Sequence, residues 1–86
     1  MSYDYTNERN FVFTEAGMKM FIACRDNVRE LLAKSGAVRE QEIHRGLSGD
    51  SWRMLACVDY LVERGEIKRV YDLGPRQHNV YVSNHE

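Results

Sequence analysis

The sequence predicts an α+β domain in which three helices precede a C-terminal β-hairpin, with a short strand between the first and second helices. Three observations lead there. Residues 14–34 and 50–64 each repeat apolar side chains at helical spacing and run into a glycine. Residues 67–71 and 79–83 are short and rich in β-branched and aromatic side chains. Between these two segments lies a loop with Gly74-Pro75 at its tip, which marks a hairpin.

Residues 1–13 are mostly polar and read as an N-terminal arm or tail, with Tyr3, Tyr5, Phe11 and Phe13 as its aromatic content. The domain proper is expected over 14–83, with 84–86 as a tail. In the first helix Met20, Phe21, Cys24, Val28, Leu31 and Leu32 trace one stripe. Thr14 suits its N-cap, Glu15 its first turn, and Gly36 a left-handed stop. Ala37 and Val38 allow only a stub of strand. Residues 40–46 form a short second helix with Ile43 and Leu47 inward and Glu40 and Glu42 in its first turn. Such a short helix depends on packing, not propensity. Residues 47–51 are a turn offering Ser48 and Asp50 as N-caps. The third helix, over 50–64, turns Met54, Cys57, Val58 and Leu61 inward and ends at Gly65. In the strands Ile67, Val70 and Tyr71 are apolar, and Val80 and Val82 share one face while Tyr81 takes the other.

Composition bounds the function. The chain has 86 residues, room for one small core. No apolar run approaches the roughly 20 residues needed to span a bilayer, and the polar N-terminus does not have a signal-peptide pattern. The expected location is the cytoplasm. Cys24 and Cys57 lie inside apolar stripes and read as reduced, buried thiols. His44, His78 and His85 have no metal-ligand spacing, and His44 is expected to face solvent. With no phosphate-cradling glycine loop and no nucleophile–base pair, no enzymatic activity, metal or cofactor is expected.

The segment LSGDSWRMLACVDYLVERGEIKRVYDLGPRQHNVYV resembles the winged helix-turn-helix superfamily of DNA-binding domains. The matching positions are Leu47, Val58, Leu61, Gly65 and Ile67, with Val80 and Val82 closing the wing. The resemblance implies a transcriptional regulator that lays its third helix in the major groove of double-stranded DNA. Ser51, Trp52, Arg53, Ala56 and Tyr60 would then stand on or beside the reading face. Arg53 suits a bidentate guanine contact, and Ser51 at the helix start suits a phosphate. Arg76 at the wing tip would reach the minor groove or a phosphate, and Lys68, Arg69 and Arg45 would add positive charge.

Charge supports a second reading. The net charge is −1, whereas phosphate neutralisation calls for a basic surface. Asp50, Asp59 and Glu63 sit on or next to the third helix. The alternative is a winged helix that contacts another protein through Trp52, Arg53 and Tyr60. A homodimer through the first helix and the N-terminal arm is compatible with either.

Overall fold

A computed structural model of the chain describes residues 3–71 and 76–84. Its elements are helix α1 (Tyr5–Val12), helix α2 (Glu15–Ser35), strand β1 (Val38–Arg39), helix α3 (Glu40–Arg45), helix α4 (Ser51–Glu63), strand β2 (Ile67–Tyr71), a 3₁₀ turn (Arg76–His78) and strand β3 (Val80–Ser83). The strands form one antiparallel sheet in the order β1-β3-β2. Val38 pairs with Tyr81, and Ile67 with Ser83. The chain is therefore α+β, and the expected element order is present from residue 15 onward. The Gly74-Pro75 loop tip and residues 85–86 of the expected tail, with His85, lie outside the described residues.

Local chemistry sets the boundaries. The Thr14 hydroxyl accepts from the Gly17 N–H at the start of α2. Gly36, at φ 77°, lets the chain leave α2 while its N–H donates to the Leu32 carbonyl at 2.7 Å. Asp50 caps α4 by accepting from the Trp52 N–H at 2.8 Å. Phe21, Cys24 and Val28 of α2 meet Cys57, Val58 and Leu61 of α4 in one core, joined by Val38, Ile43, Ile67 and Tyr81. On β3 it is Tyr81 that faces inward, fully buried, while Val80 and Val82 are half-buried. On β2 the pairing slips between Arg69 and Tyr71, and Val70 is left exposed at this bulge.

The arm expected over 1–13 folds, over most of its length, into α1. Asp4 caps it through the Thr6 N–H at 3.0 Å, and Val12 is fully buried in the shared core. A tight corner joins α1 to α2. The Thr14 hydroxyl donates to the Phe11 carbonyl at 2.7 Å, so this one side chain ties the end of α1 to the start of α2. Gly17 makes the crossing possible, because a Cβ there would lie 1.7 Å from the Phe11 carbonyl oxygen.

Gly17→Ala sets two effects against each other. Helix propensity favours alanine by about 1 kcal/mol, whereas overpacking costs about 3 kcal/mol. The crossing predicts a net loss of about 2 kcal/mol in urea unfolding. Unchanged or raised stability would mean that α1 does not cross α2 at this point.

Candidate functional site

Helical spacing puts Trp52, Ala56, Asp59, Tyr60 and Glu63 on the side of α4 opposite its core stripe. That side is partly covered, because α1 lies along it: Trp52, Asp59 and Tyr60 are half-buried, while Glu63 stays exposed. Tyr3, just before α1, meets Trp52 edge-on at a centroid distance of 6.4 Å. Its hydroxyl donates to Asp59 at 2.7 Å. Arg9 grips Glu63 with two bonds of 2.8 and 2.7 Å, and the Tyr5 hydroxyl donates to the same carboxylate. The Arg53 guanidinium stacks 4.3 Å over the Phe11 ring. Phe13 and Phe21 both meet Tyr60 edge-on, at 5.2 and 5.1 Å. Ala56 is fully buried and belongs to the same core cluster as Val12 of α1. Burial, then the bond to Asp59, pushes the Tyr3 phenol far above its ordinary value. Arg9, then Tyr5, holds the Glu63 carboxyl down to about 2.

The second part of the site is a polar network at the junction of α3, α4 and the hairpin. Glu40 is buried. It accepts from the Tyr81 hydroxyl at 2.7 Å. His44 Nε2 lies 2.6 Å and Arg76 Nε 3.4 Å from its two carboxylate oxygens, close enough to pair but without hydrogen-bond alignment. Arg76 also donates to Asp59 at 2.7 Å. Arg69 reaches both Asp59 and the Tyr81 hydroxyl at 3.4 Å. Burial, then Glu40, raises the Tyr81 phenol to about 12. Burial works against the Arg76 charge, but Asp59 and Glu40 outweigh it and the pKa ends raised. Charges removed from water this far need such mutual compensation.

The predicted site residues therefore divide. Ser51 and Lys68 are exposed, and so is Arg53, although it rests on Phe11. Trp52 and Tyr60 are half-buried under Tyr3 and Phe13. Ala56, expected on the outer face, is an interior residue. Arg69 and Arg76 turn toward Asp59 instead of standing free on the hairpin. His44, expected in solvent, is half-buried against Glu40. Glu40 is the residue that sequence reasoning missed. The signal was alternation: Val38 is buried, Arg39 exposed and Glu40 buried, so the strand period runs on into the first residue of α3.

Both cysteines are buried and free. Burial pushes the Cys24 thiol well up and raises Cys57 to about 11, so neither is a ready thiolate nucleophile. Among the described residues no three His, Cys, Asp or Glu side chains converge on a metal position. No described helix is long and apolar enough to cross a membrane. Comparison with protein-family models, with curated proteins and with solved structures found no match.

Two outcomes check this geometry. Asp59→Ala removes the shared acceptor of Tyr3, Arg69 and Arg76 and should cost about 3 kcal/mol in urea unfolding. A loss below about 1 kcal/mol, the scale of a surface pair, would show that the network is dispensable. Glu63 has a folded-state pKa of about 2 against an ordinary 4.5. Its contribution is complete above the ordinary value and is lost as pH falls toward 2. The Arg9 side-chain Nε–H resonance, which reports its bond to Glu63, should shift across that window in an NMR titration, and Glu63→Gln should abolish the shift. A persistent shift in the variant would assign it to another group.

Proposed function

We propose that the chain is a winged-helix domain that works in the cytoplasm by contacting protein, without catalysis or cofactor. The fold label is supported by the order helix, strand, helix, helix, hairpin over residues 15–83, with β1 paired to β3. The observation that carries the functional reading is the seating of α1 on the outward side of α4. Reading of double-stranded DNA by a transcriptional regulator would use that side. It would require Val12 to leave the core and the Arg9–Glu63 and Tyr3–Asp59 contacts to break.

Charge supports the same reading. Arg69 and Arg76 are engaged by Asp59, and the lysines and arginines of the chain are outnumbered by its acids, 12 to 13. Exposed apolar side chains supply the contrasting surface: Phe13, Met18 and Ile22 fall within ten residues of one another. Protein interfaces are built around such anchors.

Titration of the folded protein with labelled random-sequence duplex DNA at low salt separates the two functions. The protein-contact reading predicts no saturable anisotropy change up to about 50 µM. Saturable binding below about 10 µM that weakens as salt is added would replace it with the DNA reading.

A further inference from the structure

Helix α2 carries two seams side by side. Gly17, Phe21, Cys24, Val28 and Leu31 follow one another at steps of four, three, four and three residues and face the core. One residue further on, Met18, Ile22, Arg25, Arg29 and Leu32 repeat the same steps. That is the heptad spacing with which one helix meets another along a continuous face. None of these five is fully buried: Met18, Ile22 and Arg29 are exposed, and Arg25 and Leu32 are half-buried. From Met18 to Leu32 the second seam runs roughly 21 Å along the helix.

The chemistry changes along this second seam. Met18 and Ile22 make its first part apolar. Arg25 and Arg29 make its middle cationic, and Leu32 closes it. Arg25, Arg29 and Leu32 also line a groove of about 570 Å³ between α2 and β2, with Val28, Leu61 and Ile67 at its base. The arginines are incompletely neutralised. Arg29 and Arg64 both pair with the one carboxylate of Glu66, at 2.9 Å each, and Arg25 pairs with its chain neighbour Asp26 at 3.2 Å. In these pairs three guanidiniums share two carboxylates, so one positive charge is left over. The Arg29 side chain is 59% exposed. Exposed pairs of this kind are weakly held, and a carboxylate brought by a partner can replace them.

We propose that the second seam docks an acidic amphipathic helix of another protein, with apolar side chains on Met18, Ile22 and Leu32 and carboxylates on Arg25 and Arg29. The proposal rests on the protein-contact reading and gives the partner's chemistry. A second copy of the chain does not fit, because pairing along the whole seam sets Arg25 against Arg25 in either direction.

Fluorescence anisotropy of labelled, end-capped helical peptides, titrated with the full chain to about 500 µM, tests it. One peptide carries Leu-Leu-Glu-Glu-Leu at the steps of the seam, a second carries the reverse order, and two controls have lysine in place of glutamate. At least one glutamate peptide should bind saturably, about 10-fold or more tighter than its lysine control. Ile22→Ser, folded by circular dichroism, should weaken that binding by about 10-fold. The folded double variant Arg25→Glu, Arg29→Glu should instead prefer the lysine peptide. No saturation with either glutamate peptide overturns the proposal. So does equal binding of glutamate and lysine peptides, or a preference unchanged in the double variant. A dimer of the chain alone in sedimentation, dissolved by Ile22→Ser, would give the seam to a second copy and overturn it as well. Failure of the peptides in a chain that also ignores DNA removes the seam and leaves the protein-contact reading; saturable DNA binding removes that reading itself.

Discussion

The remaining elements are arranged around the contact between α1 and the outward side of α4. It leaves α4 in contact on two faces, with Met54, Cys57, Val58 and Leu61 turned inward and Asp59, Tyr60 and Glu63 held by Tyr3, Phe13 and Arg9. A helix in that position is a central strut. The crossing at Gly17 and the Thr14 hydroxyl fix where α1 begins its path along α4.

From Asp59 the same constraint reaches the hairpin. Asp59 accepts from Tyr3 on one side and from Arg76 and Arg69 on the other, and Arg76 extends the chain of contacts to Glu40. Glu40 in turn holds the hydroxyl of Tyr81, whose ring is part of the core. Burying these charges contributes little net stability, because desolvation offsets most of the Coulomb attraction. What the network supplies is position: Arg69 and Arg76 of the hairpin are held against Asp59, while Lys68 stays exposed.

Much of the fold was legible because its boundaries are chemical. Thr14, Gly36, Asp50 and Gly65 stop or start helices by capping and by left-handed backbone, and those effects act within a few residues. Helix α1 was not legible for the opposite reason. Its eight residues are mostly polar, and an isolated helix of that length is marginal, so tertiary packing has to hold it. The periodicity of α4 set Trp52 and Tyr60 apart from the core stripe, although Tyr60 packs on Phe21 at the edge of the core. It had no means of showing that the opposite side meets another part of the chain. Glu40 was hidden by its charge: an acid in a first turn reads as a solvated dipole partner, although its place in the Val38–Glu40 alternation points inward.

Amide hydrogen exchange decides whether α1 is an integral part of the domain. Its packing predicts that the hydrogen-bonded amides near the end of α1, residues 9–13, open with a free energy close to that of the α4 core amides, near the global unfolding limit. Exchange of those amides orders of magnitude faster, with α2 and α4 still protected, would contradict that packing and return the outward side of α4 to solvent.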